Sequence, residues 1–436
     1  MTLEIWAKME TALNAISRRF LDMVSVHSSS SETVLGLGAI VLMLAVASYL
    51  PFAGSKPAAK SRKAQQAKAM REAYQSMARQ ESISNNKNVQ RSKQAPGSMQ
   101  ISQLWVYPVK SLRGCVVPQA MLTKEGFYLD RRFVLLQEDE ANPGQWKHMA
   151  VSKISQMVLF HPSISEDTLT ITYRPPGSAA ADPEVVEVPL GPENLERLER
   201  VEVNMHFSPT KGYNLGEKYS QWFSKRFGFR VILVYWGNNP RLVLGNLPGK
   251  ATGQGPKPKN AITKVISSLP VIGSLLQEDD GVIAFNDCAP YLVITEPSLH
   301  DVTVRLPEGV EMDVTKFRAN ILLKTSDPAW DEDFWGELTI GSEGAKILLT
   351  GNCGRCNSLN VDYNTGESGT GRDGKVLKLL QKDRRVDLGT KYSPIFGRYG
   401  FASKDSEGMV LRVGDVVTMT KRNEERTRFY WPGLST

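Results

Sequence analysis

The sequence predicts a mainly β protein with some α (an α+β chain), preceded by a single transmembrane helix. Three observations carry that expectation. No charged residue occurs from Thr33 to Ser55. After residue 99 come many short apolar or alternating segments, punctuated by Gly, Pro and Asp. Only one extended segment among them keeps clear helical spacing, around residues 214–228.

In chain order, residues 1–31 place Trp6, Met9, Leu13, Ile16 and Phe20 at spacings of three and four. That is one apolar stripe on an amphipathic helix, either interfacial or packed against another segment. Glu4, Glu10 and Asp22 argue against a cleavable matrix-type presequence, which is poor in acids. Residues 32–55 read as a transmembrane anchor. Val34–Leu50 is nearly all apolar and Pro51 ends it. At about 1.5 Å per residue such a stretch just spans a hydrocarbon core of roughly 30 Å. Residues 56–98 form a basic polar linker. The excess of Lys and Arg after the span, against Lys8, Arg18 and Arg19 before it, orients the C-terminal bulk to the cytosol.

The formal charge of +7 has a location. Residues 53–98 carry ten Lys/Arg against Glu72 and Glu81, whereas 99–436 hold forty basic and forty acidic residues. A nucleic-acid binder concentrates basic charge on its folded domain. Here the charge sits in the linker, where it suits anionic headgroups. Four cysteines, Cys115, Cys288, Cys353 and Cys356, make no disulfide framework and point to a reducing compartment.

The folded part divides into 99–237, a turn-rich surface insertion 238–280, a second domain 281–420 and a tail 421–436. Strands are expected at 101–107, 132–137, 168–173, 185–189, 230–235, 291–295, 345–350 and 410–419. Asn214 is the candidate cap of the helix, whose face is Tyr219, Trp222, Phe223 and Phe227 and whose stop is Gly228. A shorter helix is expected near 376–381.

The candidate chemistry centres on Cys353-Gly354-Arg355-Cys356, at the end of an apolar strand. Structural zinc needs a second ligand pair, and the five histidines (His27, His148, His161, His206, His300) are scattered. A thioredoxin-like pair needs a helix after the first thiol, but strand and turn residues follow. The third competing reading is a single thiolate acting as a soft metal ligand while cations from distant segments grip an anionic cofactor. Lys110, Ser111, Arg132, Arg318 with Asn320, and Arg355 are the candidates.

Six blocks in order resemble the MOSC molybdenum-cofactor proteins that carry an N-terminal β-barrel domain. They are Trp105–Leu112, Leu129–Phe133, Phe317–Ile321, Cys353–Cys356 with Val361-Asp362 and Thr365-Gly366, Pro394–Gly397, and Val413–Asp415. The resemblance implies a β-barrel-like domain over 99–237 and a MOSC β-barrel over 281–420. It implies the molybdenum cofactor (Mo-molybdopterin), with Cys356 as its protein sulfur and as the catalytic residue. Lys110, Ser111, Arg132, Arg318, Asn320 and Arg355 fall where the family contacts the cofactor, with Arg131 the alternative to Arg132. Asp331 and Asp333 lie near an acidic segment facing the family's metal pocket. The implied activity is reduction of N-hydroxylated substrates at a membrane, with electrons from cytochrome b5 and NADH-cytochrome b5 reductase. The implied membrane is the mitochondrial outer membrane, with endoplasmic reticulum next. Two rival readings stay open: a sulfur carrier with a Cys356 persulfide, and a non-catalytic cofactor-binding module.

Overall fold

The computed structural model describes residues 99–177, 183–250, 281–371 and 373–436. The amphipathic segment, the anchor, the linker and most of the 238–280 insertion lie outside the described residues. Among the described residues no helix is long and apolar enough to cross a membrane.

The architecture is mainly β with few helices. Its largest sheet has eight strands, in the order Ile321–Lys324, Tyr291–Thr295, Ile395–Ala402, Ala345–Gly354, Trp335–Ile340, Val416–Arg422, Met99–Val106 and Cys115–Val117. Met99–Val106 also pairs with Ile321–Lys324, which closes the sheet into a ring. The first strand of the described chain thus completes a barrel made otherwise from the last third. Alternation explains why: Ile101, Leu104 and Val106 are fully buried, with a bulge between Ile101 and Gln103. The one parallel pair in the ring joins Tyr291–Thr295 to Ile321–Lys324 across the helix Glu296–Val304, as a parallel crossover requires.

A five-stranded sheet runs Arg200–Met205, Ser208–Asn214, Val231–Tyr235, Phe133–Glu138 and Trp146–His148. The helix Glu217–Phe227 lies beside it. Its Trp222, Phe223 and Phe227 meet Phe160 from a separate three-stranded sheet, with ring centroids 4.7–5.9 Å apart. Gly228 ends this helix in the left-handed region, as expected. Asn214 does not cap it: its Oδ1 accepts the Gly216 N–H at 3.0 Å, a turn just ahead of the helix start.

Two expected strands differ in extent. The segment 410–419 is split by the Gly414 turn into Val410–Arg412 and Val416–Arg422. The cysteine strand runs on through Gly354, and its pairing with Ile395–Ala402 slips at Leu349/Gly351 and at Asn352/Gly354. Bulges of this kind re-aim side chains, and the second of these spans Cys353. Gly397 answers them across the sheet. Its φ is +87°, and a Cβ there would lie 2.7 Å from Ile294 and 2.9 Å from the Val293 carbonyl.

The segment 421–436 packs against the body. Trp431 is fully buried and Phe429 nearly so. The Asp387 carboxylate accepts the Phe429 N–H and the Asn352 side-chain amide, which ties this segment to the cysteine strand.

Candidate functional site

A cleft of about 330 Å³ opens where these segments meet. It is lined by Lys110, Ser111, Arg131, Arg318, Asn320, Arg355 and Cys356, and by residues from the C-terminal segment. Barrel closure therefore gathers side chains spread over more than 200 positions. Arg132 is not among them. Its guanidinium stacks over Trp236, 4.5 Å from the ring centroid, and Arg131 faces the cleft instead. The reason is local: Arg131 sits at φ +50°, in the turn before the strand Phe133–Glu138, so strand alternation does not set its direction.

Arg131 and Arg318 both lie over the buried Tyr107 ring, each 4.5 Å from its centroid. Arg131 pairs with buried Asp130 and donates to the Arg318 carbonyl at 3.0 Å. Arg318, at φ +55°, donates from Nη1 to the Leu112 carbonyl at 2.6 Å. Its guanidinium also lies within hydrogen-bonding reach of the buried Tyr363 hydroxyl. Burial pushes the Tyr107 phenol far above its usual range, so this ring is a neutral platform.

Lys110 is nearly buried and its ammonium pairs with Asp287. Burial lowers the Lys110 pKa and the nearby Arg241 and Arg131 lower it further, while Asp287 opposes them. Asp287 keeps half of its side-chain surface open to the cleft. Protein surrounds it closely enough that burial works to raise its pKa. Lys110 and His206 outweigh that and hold the carboxyl well below its usual range.

Arg355 is a staple more than a free cation. It donates to the Phe396 carbonyl at 2.9 and 2.7 Å and to the Phe317 carbonyl at 2.8 Å, fixing the loop ahead of Arg318. The Asn320 amide is likewise committed, donating to the Trp105 carbonyl and accepting from the Leu292 N–H, both at 3.2 Å. Ser111 donates to the Met149 carbonyl at 3.3 Å.

Three of the four cysteines reach the cleft. Cys288 and Cys353 are buried thiols, their pKa values raised by burial, and Cys353 shares a hydrogen bond with Tyr399. Cys356 is exposed, with its sulfur 3.3 Å from the Ser358 hydroxyl. It is the one cleft thiol available to a ligand. Among the described residues no group of three or more His, Cys, Asp or Glu could hold a metal by itself.

Asp331 and Asp333 lie away from the cleft. Asp331 pairs with Arg422, and buried Asp333 pairs with Arg384 and Arg426. Sequence reading missed Asp287, His148 and His206, which the structure brings together on the cleft wall. The scattered positions gave no spacing signal.

Two family models match this chain. One, described as "MOSC domain", covers residues 280–418, and the other, "MOSC N-terminal beta barrel domain", covers residues 98–230. The barrel and cleft are thus those of a MOSC protein with its N-terminal barrel domain. Among curated proteins the chain is similar to mitochondrial amidoxime-reducing component 1 of Mus musculus, 28% identical over 324 residues, 73% of this chain and 81% of that protein. It is equally similar to mitochondrial amidoxime reducing component 2 of Bos taurus, 28% identical over 330 residues, 73% and 82% of the two chains. Molybdenum cofactor sulfurase of Bos taurus is 25% identical over 301 residues, 66% of this chain but 29% of that protein.

Proposed function

We propose that this chain is a molybdenum-cofactor oxidoreductase that reduces N-hydroxylated compounds, tethered to a membrane by residues 33–55. The observation that carries the reading is the composition of the cleft. Lys110, Arg131, Lys316, Arg318 and Arg355 line it against a single carboxylate, Asp287, beside one exposed thiol. A surplus of cations suits a dianionic pterin phosphate, and guanidinium forks suit its oxygens. The residues present therefore fit the group that the names of the relatives imply.

In this reading Cys356 supplies the protein sulfur to molybdenum. Lys110, Arg131 and Arg318 hold the anionic part, with Ser111 at the start of the same turn. Asn320 and Arg355 act through the backbone they fix. The bound cofactor supplies two electrons for cleaving an N–O bond; orientation, exclusion of water and proton placement fall to the chain. Electrons arrive from cytochrome b5 and its NADH-dependent reductase. Anchoring on the cytosolic face of one membrane, the mitochondrial outer membrane, raises the effective concentration of those partners.

The test uses the purified full-length chain with cytochrome b5, its reductase, NADH and an aryl amidoxime. One amidine formed per NADH oxidised is expected. No amidine from a preparation that contains molybdenum and pterin would overturn the assignment of substrate.

A further inference from the structure

The proposed reduction consumes two protons as well as two electrons, and the cleft holds a histidine–carboxylate pair whose Asp287 Oδ1 also takes the Lys110 ammonium. His206 Nε2 lies 3.1 Å from Asp287 Oδ1. Asp287 is a carboxylate, so Nε2 carries a hydrogen and donates it, leaving Nδ1 as the other ring nitrogen. The rings of His148 and His206 stand edge to face with centroids 5.9 Å apart. Burial, then Lys110 and His206, push His148 down to about 4, so it is neutral at neutral pH. Its Nδ1 lies 3.2 Å from the Asn204 carbonyl and carries the hydrogen in that form.

The pair is built with unusual care. His206 and Phe207 form the two-residue turn between Arg200–Met205 and Ser208–Asn214, and both sit in the left-handed region, at φ +52° and +62°. Such turns favour Asn and Gly, so a His-Phe turn is strained. The Trp431 indole N–H donates to the His206 carbonyl at 2.6 Å, holding the turn from the C-terminal side. Beneath it lies the fully buried Arg241. Its guanidinium donates to the carbonyls of Met205, Ala284, Asn286 and Asp287. One side chain thus joins the His206 turn to the loop that carries Asp287.

We infer that His206, held by Asp287, is the proton donor for N–O cleavage, and that Arg241 is the positioning residue that sets the pair. The inference rests on the reading of the cleft as an N-hydroxy reductase site. The N–O bond breaks with two electrons, which the bound cofactor would supply. Two protons are taken up, one at nitrogen and one at the hydroxyl oxygen, which leaves as water. His206 supplies one of these protons and is recharged from solvent; the other comes from solvent directly. The charged or titratable groups facing His206 are Asp287, Lys110, His148 and Arg241.

Two measurements test this. In the cofactor-free full-length protein, the His206 ring nitrogens, assigned by their loss in His206→Asn, are read by NMR for the tautomer they report. The wild type should show the Nε2–H tautomer that the Asp287 contact fixes, and Asp287→Ala should lose that preference; an unaltered tautomer in Asp287→Ala overturns the pair. In the loaded enzyme, kcat of the wild type should fall as pH rises, because a general acid must be protonated. His206→Asn, a residue that tolerates the left-handed turn, should lose that limb and about 100-fold in kcat. Molybdenum and pterin content should stay unchanged. An active wild type with an unaltered profile in His206→Asn overturns the inference alone. A wild type that binds molybdenum but never reduces an N-hydroxy compound overturns the functional reading and the inference with it.

Discussion

Replacing Arg241 with Met tests whether one buried cation holds this wall of the cleft. The substitution fills much of the same volume but abandons four carbonyl acceptors, those of Met205, Ala284, Asn286 and Asp287. Hydrogen bonds to a charged donor are worth about 1.5–3 kcal/mol each, so the lower end of that range gives a gross loss of about 6 kcal/mol. Against this stands the cost of keeping the guanidinium from water. Burial lowers its pKa from 12.5 to about 10. At about 1.4 kcal/mol per pKa unit, that is roughly 3 kcal/mol recovered when the charge is removed. The net loss is about 3 kcal/mol, in line with the cost of stripping one partner from a buried charged network. For a folded part of this size the melting temperature should fall by about 4 °C. Thermal unfolding followed by circular dichroism, with wild type and Arg241→Met in the same buffer, reads the difference. A melting temperature within about 1 °C of wild type would refute the reasoning. It would mean that desolvation cancels the four bonds and that Arg241 anchors nothing.

Two further outcomes follow from buried groups. Burial raises Glu332 from 4.5 to about 7, with Asp333 adding to the effect and the Ser298 and Thr295 hydroxyls opposing it. A raised carboxyl pKa contributes stability that is present below about pH 4.5 and lost as pH climbs towards 7, about 3 kcal/mol in all. Urea midpoints at pH 5 and pH 8 should therefore differ more in wild type than in Glu332→Gln, and equal differences would contradict the assignment. The neighbouring arginines should also separate. Arg131→Ala should lose most bound pterin, whereas Arg132→Ala should keep it, measured as pterin fluorescence released per chain.

The strands were legible because burial alternates along them. Met99–Val106 and Ala345–Leu349 show the period that a half-buried strand writes into sequence. Cys356, Lys110 and Arg318 were legible as candidates through their chemistry and the MOSC blocks around them. Convergence was not legible, since it depends on Met99–Val106 closing a ring with strands some 220 residues away. The choice between Arg131 and Arg132 was not legible for another reason: a left-handed residue ahead of a strand breaks the alternation that would have aimed it. The acidic run Asp331–Asp333 misled because composition does not reveal pairing. Arg384, Arg426 and Arg422 hold its outer two carboxylates away from the cleft. His206 left no trace either, standing in a hairpin turn without the Gly or Asn that marks one.

The most direct measurement is the molybdenum and pterin content of the purified full-length protein beside that of Cys356→Ser. The wild type should carry about one of each per chain. Cys356→Ser should stay folded and keep pterin on its arginines while losing molybdenum or all N-hydroxy reduction. A Cys356→Ser protein with full molybdenum and full activity would contradict the account, as would a wild type with neither metal nor pterin.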